Sequence, residues 1–335
     1  MGKTVFIDSY KSKLSVRETQ RGIRFIKDTF QKKLSEALNL EYISAPLFLK
    51  KGRGLNDDLN GVERKVHFDL KEIEGEYEIV QSLAKWKRYA LYKYNFGVGE
   101  GLYTNMNAIR RDDDMDNIHS VYVDQWDWCK VISREQRNEE YLKETVIKIV
   151  NAIADTQDEL QKLFPVLKHK IKREVHFVTS QELEDKYPDL TPKQREKEET
   201  KKYGTIFVMQ IGGLLKSGIK HDGRAPDYDD WKLNGDLIFW NSVLGEQIEI
   251  SSMGIRVDAE SLVAQLKAEG KEDKLALEFQ SGIYSGRFPL TIGGGIGQSR
   301  LCVLLLEKLH IGEVQCCVWQ PEIKAECKDR GINLL

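Results

Sequence analysis

The sequence predicts an α+β fold in which a mainly antiparallel sheet is flanked by helices. Strand-like segments are numerous, and helical segments interrupt them at irregular intervals. Residues 235–243 and 246–257 have the pattern of an antiparallel pair around a turn near Gly245. A parallel, doubly wound sheet would instead show strands and helices in regular alternation.

The first predicted element is an amphipathic helix over residues 17–38. Its apolar stripe is built from residues three or four positions apart, namely Ile23, Ile26, Phe30, Leu34 and Ala37. Residues 40–49 follow as a strand, in which Pro46 indicates an edge or a bend.

The next strand, over residues 119–128, alternates strictly between two faces. One face carries Val121, Val123, Gln125 and Asp127, and the other carries Tyr122, Asp124, Trp126 and Trp128. A long helix is then expected over residues 139–163.

The second half of the chain predicts a series of shorter elements. They are buried strands at 174–180 and 203–211, the antiparallel pair, and helices near 258–269, 273–285 and 300–309. The most polar piece, residues 188–202, is expected to be a solvated helix or loop whose charges have no functional role.

Composition restricts the class of protein. The 335 residues carry a net charge of −2 and are 31% charged and 41% hydrophobic, as in soluble globular proteins. We therefore expect a single domain over residues 1–335, with no nucleic acid partner and no membrane association. The five cysteines form no C-x-x-C pair, which indicates reduced thiols and a cytoplasmic location.

The segment "TIGGGIGQSRL", residues 291–301, carries the main functional signal. It lacks the Gly-Lys-Ser/Thr of a phosphate-binding P-loop, and Gln298 stands where a dinucleotide fingerprint needs glycine. A strand over 290–292, a glycine platform and a helix that opens near Arg300 would let a flat ligand lie on backbone. On this segment alone, a glycine-rich bend whose arginine reaches solvent explains the pattern equally well.

Two upstream segments favour the functional interpretation. A strand, a glycine cluster and a helix-initial arginine resemble motif 3 of the class II aminoacyl-tRNA synthetases. The helix before the Pro46 strand resembles motif 1. Arg110, an acidic loop and the strand from Val121 resemble motif 2.

A closer resemblance covers essentially the whole chain. The segments "LNDDLNG", "QSLAKWKR", "HSVYVDQWDW", "HDGRAPDYDDW", "SSMGIRVDA" and "TIGGGIGQSRL" are similar to those of the ammonia-dependent, AMP-forming asparagine synthetases. One departure is a short step from "DYDDW" to "NGD", where some members carry a longer loop.

The resemblance implies that L-aspartate and ATP form β-aspartyl-AMP and pyrophosphate, after which ammonia yields L-asparagine and AMP. It implies a class II synthetase-like fold, Mg²⁺ as the metal, and a homodimer formed through the motif 1 element.

The resemblance also implies roles for particular residues. Arg110 bridges the α-phosphate and the attacking carboxylate, Arg300 holds the far end of ATP, and Gly295 belongs to the adenosine platform. Asp236 and Glu249, on adjacent predicted strands, are the magnesium ligands.

For the aspartate end, the resemblance and the strand patterns suggest several contacts. Lys87, beside Ser82, is the expected partner of the substrate carboxylate, and Gln125 and Asp127 suit the α-ammonium group. Glu249, Ser251 and Met253 are predicted to share one strand face, which would direct Ser251 into the site. Arg256 either touches a phosphate or pairs with Asp258. Asp57 is assigned to ammonia, and Asp229 orients the substrate or shares that role.

Two other functions fit the sequence less well. An aminoacyl-tRNA synthetase would need an anticodon-binding domain and a basic surface for tRNA, and neither is expected here. A non-catalytic sensor should have lost one of the two ATP arginines or the acidic pair, and all four residues are present.

Overall fold

A computed structural model describes residues 4–59 and 63–335, so the last two residues of the "LNDDLNG" segment lie outside the described residues. The α-helices are α1 (Val16–Leu38), α2 (Ala84–Lys93), α3 (Glu139–Leu163), α4 (Ser180–Lys186), α5 (Pro192–Tyr203), α6 (Ala259–Ala268), α7 (Glu278–Tyr284), α8 (Gln298–Leu305) and α9 (Pro321–Asp329). The strands are β1 (Leu40–Tyr42), β2 (Phe48–Lys50), β3 (His67–Leu70), β4 (Ile73–Ile79), β5 (Gly101–Ile109), β6 (Tyr122–Val131), β7 (His176–Thr179), β8 (Thr205–Met209), β9 (Asp229–Asn241), β10 (Glu246–Arg256) and β11 (Thr291–Gly297).

Eight of these strands form one sheet in the order β1-β5-β6-β11-β10-β9-β8-β7. The outermost pairs, β1 with β5 and β7 with β8, are parallel, and the inner pairs are antiparallel. A second, three-stranded sheet has the order β2-β4-β3. The predicted α+β class with a mainly antiparallel sheet is confirmed.

The two faces of the large sheet differ in what covers them. One face packs on α1, α3 and α8, and its core includes Trp126 and Trp128 of β6. The other face is covered by three smaller apolar clusters, around α2, around α6 and α7, and around α4 with β8. A cavity lies over this second face.

Several predicted elements are confirmed, and others change in detail. The strand pair turns at Gly245, whose φ of +66° suits glycine. Pro46 marks a bend, because β1 ends at Tyr42 and β2 joins the other sheet. Residues 174–180 were predicted to be a buried strand, but β7 is an edge strand in which Val178 is the buried residue. The helix predicted over 273–285 is a 3₁₀ turn, Glu272–Ala276, followed by α7.

Two further segments differ in part from the expectation. The glycines of residues 291–301 belong to β11 itself, which continues to Gly297 beyond the predicted strand over 290–292, and α8 begins at Gln298. Most of the charged stretch 188–202 belongs to α5, one of the two predicted alternatives, but Arg195, Glu196 and Glu199 are buried rather than solvated. Its burial follows from packing against β8, β9 and β10, which the local sequence does not encode. Throughout residues 4–59 and 63–335, every helix is too short or too polar to cross a membrane.

Candidate active site

A cavity of about 600 Å³ opens over the centre of the large sheet. It brings together ten of the residues predicted for the site: Asp57, Ser82, Arg110, Gln125, Asp127, Asp229, Glu249, Arg256, Gly295 and Arg300. These residues come from segments up to 243 positions apart, so the sheet order, with β6, β11 and β10 adjacent, assembles the site.

The glycine strand β11 forms part of the cavity wall. Gly295 lies between Asp127 of β6 and Ser252 of β10, and a Cβ atom there would overlap the side chain of Gln125. Gly294 faces the opposite way, where a Cβ would lie 2.5 Å from that of Met253. The strand therefore presents bare backbone to the cavity at Gly295 and packs tightly on the core at Gly294.

Two arginines stand at the cavity with donor groups directed to backbone carbonyls. Arg300, in the first turn of α8, donates from Nη1 to the Glu249 carbonyl oxygen at 3.0 Å, and its guanidinium lies 3.9 Å from the Glu249 carboxylate. Arg110, just after β5, donates from Nε to the Gln81 carbonyl oxygen at 3.2 Å. Each guanidinium has five N–H groups, so further donors remain for a ligand.

The acidic pair is assembled by neighbouring strands, as predicted. Asp236 of β9 pairs with Arg224 at 2.6 Å, and its pKa is raised to about 6, mainly by burial and further by the charge of Glu249. Burial would also raise the pKa of Glu249, but the cations Arg300 and Lys193 lower it. Within the described ranges, His, Cys, Asp and Glu side chains form no group of three that could hold a metal by themselves.

Ser251 does not share the cavity face with Glu249, and that prediction is wrong. A β-bulge at Ile250 shifts the register, so that Glu249 lies opposite Ile238 and Ser251 opposite Leu237. The alternation of side chains is reset by the extra residue. Ser251 and Met253 consequently face the core, and Ser252 lines the cavity instead.

Lys87 is also placed differently from the prediction. Its ammonium is fully buried and donates to the carboxylate of Asp127, to the Trp128 carbonyl oxygen at 2.9 Å and to the Gly294 carbonyl oxygen at 2.9 Å. An ammonium group has three N–H donors, and all three are used. Lys87 therefore holds α2, β6 and β11 together rather than offering a donor to a substrate carboxylate.

The remaining predicted residues form two buried groups. Arg256 pairs with the carboxylate of Asp229, and not with Asp258, which caps α6 and pairs with Arg134 at 2.9 Å. Asp57 accepts a hydrogen bond from the Ser82 hydroxyl at 2.7 Å and one from the Leu59 amide at 3.0 Å. These pairs fix two carboxylates and one guanidinium at the cavity.

Sequence reasoning missed several charged residues that line the cavity, among them Lys193, Asp222 and Arg224. Arg224 lies within the "HDGRAPDYDDW" segment, which could have indicated it. Lys193 lies in the charged stretch that looked solvated, and nothing in its local sequence points to the cavity. Residues 230–236 belong to the continuous strand β9. At this point some members of the similar family carry a longer loop, so the sequence did not predict the local conformation.

Comparison with known proteins gives a consistent result. A family model described as aspartate-ammonia ligase matches residues 17–331. A curated aspartate–ammonia ligase of Levilactobacillus brevis is 55% identical over 329 residues, which cover 98% of each chain. The one from Clostridium tetani is 55% identical over 327 residues, covering 97% of this chain and 96% of that relative.

Solved structures share the fold at low identity. Asparaginyl-tRNA synthetase of Entamoeba histolytica, in complex with asparaginyl-adenylate, superimposes with a TM-score of 0.60 at 16% identity, covering 90% of this chain and 66% of that chain. The Pyrococcus horikoshii asparaginyl-tRNA synthetase, also complexed with asparaginyl-adenylate, gives a TM-score of 0.61 at 15% identity, covering 89% and 68%. The class II synthetase-like fold is thereby confirmed.

Proposed function

Since the chain belongs to the aspartate–ammonia ligase family, we propose that it makes L-asparagine from L-aspartate, ammonia and ATP. The reaction proceeds through β-aspartyl-AMP and releases AMP and pyrophosphate. The observation that supports this most is one cavity in which Arg110 and Arg300 face a glycine wall beside the buried Asp229–Arg256 pair.

The first step brings a carboxylate to an α-phosphate, and two like charges 4 Å apart repel by about 4 kcal/mol at a protein-like dielectric. Arg110 offsets this repulsion by donating to both groups, and Arg300 holds the nucleotide at the start of α8. Backbone at Gly295 leaves room for the flat adenosine.

Mg²⁺ fits the residues present. Asp236 and Glu249 would supply oxygen ligands, and burial, together with the charge of Glu249, raises the pKa of Asp236 to about 6, so a bound cation would favour its ionised form. Two carboxylates with substrate phosphates are a usual magnesium ligand set. When bound, the ion would neutralise charge on the phosphates.

Aspartate is held by groups from β6 and β10. Asp127 and Gln125 accept hydrogen bonds from the α-ammonium group, and the ammonium of Lys87 fixes the position of the Asp127 carboxylate. All three donors of Lys87 are occupied, whereas Arg256 donates to Asp229 from Nη1 and its buried Nε has no hydrogen-bond partner, so Arg256 is the better partner for the α-carboxylate of the substrate.

Asp57 is the better candidate for the ammonia step. The charge of Asp229 is already compensated by Arg256, whereas Asp57 has a hydroxyl and an amide as hydrogen-bond donors. Asp57→Asn should impair asparagine formation more than ATP–pyrophosphate exchange, which does not require ammonia. Equal loss in both assays would contradict this role.

Product analysis tests the proposal. Purified protein with ATP, Mg²⁺, aspartate and ammonium should form asparagine and AMP in equal amounts, and glutamine should not replace ammonium efficiently. ADP as the nucleotide product would overturn the adenylate mechanism. Aspartyl-tRNA formation would instead support a synthetase activity.

A homodimer is part of the proposal. Tyr42, Leu47 and Phe48, around the β1–β2 bend, are large apolar residues exposed on the surface, as expected for an interface. Gel filtration at the mass of one 38.6 kDa chain would contradict it.

A further inference from the structure

The side chain of Lys193, near the start of α5, lines the cavity, although the charged sequence around it predicts a solvated segment. It lines the same cavity as Glu249 and Arg300. Its backbone is fixed, because Thr191 caps α5 through a capping box and Pro192 occupies the first turn. The ammonium thus projects from a rigid helix start.

The ammonium of Lys193 can exchange one of its present partners for a ligand. Its Nζ lies 3.0 Å from an Asp222 oxygen and 3.2 Å from Glu196, yet the side chain is 55% exposed. Glu196 is itself buried and lies 3.0 Å from the ring of His221. Asp222, by contrast, is 40% exposed and belongs to the loop at the cavity, so its contact with Lys193 is the one that a ligand can replace.

The arginines that line the cavity already have protein partners or roles in the proposed reaction. Arg224 is bonded to Asp236 and Ser252, and Arg256 is bonded to Asp229 and serves the substrate carboxylate in the proposed reaction. Arg110 serves the α-phosphate and Arg300 the far end of ATP in the proposed reaction, and the β- and γ-phosphates together carry more negative charge than one arginine offsets. Among the described residues that line the cavity, Lys193 is the remaining lysine or arginine, and it stands on the Glu249 side.

We propose that Lys193 binds the β- and γ-phosphates of ATP, exchanging its contact with Asp222 for a phosphate oxygen. This inference rests on the proposed function. In the first step an oxygen of the aspartate β-carboxylate bonds to the α-phosphorus, and the bond from that phosphorus to the bridging oxygen breaks. Pyrophosphate leaves with the electron pair, and the Lys193 ammonium stabilises the charge that it gains.

The test compares ATP with AMP, which lacks the two phosphates in question. Binding of each nucleotide is measured by calorimetry with Mg²⁺ and without aspartate, so that no reaction occurs. Lys193→Ala is combined with Asp222→Asn, because the double variant keeps the net charge and leaves no unpaired Asp222 carboxylate. Lys197→Ala is the matched control, since Lys197 lies one turn further along α5 and pairs with Glu246.

The double variant should bind ATP at least tenfold more weakly, about the loss expected for one charge-assisted hydrogen bond, and AMP within about twofold of wild type. Lys193→Arg should retain most of the ATP affinity, and Lys197→Ala should bind both nucleotides normally. Unchanged ATP affinity in the double variant, or equal losses for ATP and AMP, would overturn the role of Lys193. A wild-type protein that binds neither nucleotide would overturn the proposed function itself.

Discussion

Replacing Lys87 with methionine should destabilise the fold rather than simply weaken aspartate binding. Methionine preserves the aliphatic stem but removes the ammonium that contacts Asp127 and two backbone carbonyl oxygens. The carboxylate of Asp127 is 4% exposed, so it would be left as a buried charge with its main partner gone.

The magnitude follows from this burial. Removing one partner of a buried ion pair costs about 3–5 kcal/mol. At about 2.1 cal/mol/K per residue, the unfolding entropy of 335 residues is about 0.7 kcal/mol/K, so the Tm should fall by about 4–7 °C.

Thermal denaturation without ligands measures the effect. Lys93→Met is the control, because Lys93 is exposed at the end of the same helix, and it should cost less than about 1 kcal/mol. The double variant Lys87→Met/Asp127→Asn should recover part of the loss, since the buried charge is gone. If Lys87→Met leaves the Tm within about 1 °C and raises only the KM for aspartate, Lys87 is a substrate contact and the reasoning is wrong.

Three further predictions address the cavity. Arg110→Ala and Arg300→Ala should each lower AMP formation by at least about 100-fold while the Tm stays near wild type, and near-normal turnover in either variant would refute the phosphate roles. Gly294→Ala should cost about 1–3 kcal/mol in denaturation because its methyl meets Met253, whereas Gly295→Ala should mainly reduce activity; the reverse order would contradict the assigned faces. The raised pKa of Asp236 means that the folded, ligand-free protein binds a proton more tightly than the unfolded chain. The stabilisation gained from this proton is fully present below about pH 4 and is lost as the pH rises through about 6. Relative to Asp236→Asn, wild type should lose about 1 kcal/mol between pH 5 and 7, and a pH-independent difference would exclude this titration.

Much of the architecture was predictable because regular elements repeat with a fixed period. The alternation along β6 placed Gln125 and Asp127 on the cavity face and Trp126 and Trp128 in the core. The limits of α3 followed from its pattern in the same way.

The misplaced residues depend on geometry that the local sequence does not mark. Neither glycine nor proline flags the bulge at Ile250, so Ser251 was assigned to the wrong face. The partners of Lys87 lie about 40 and 207 positions away, and Lys193 faces the cavity only because α5 packs on the sheet. Such contacts arise from tertiary packing rather than local pattern.

The bulge in β10 has a consequence for chain length. Glu249 and Ser252 occupy one face although they are three positions apart, an odd spacing that a regular strand cannot provide. Losing one residue between them would remove the bulge and restore the even spacing of a regular strand, so both side chains would still share one face. The bulge therefore lets β10 carry one additional residue at Ile250 without turning either side chain away from the cavity, whereas the same residues paired without a bulge would direct Glu249 or Ser252 towards the core.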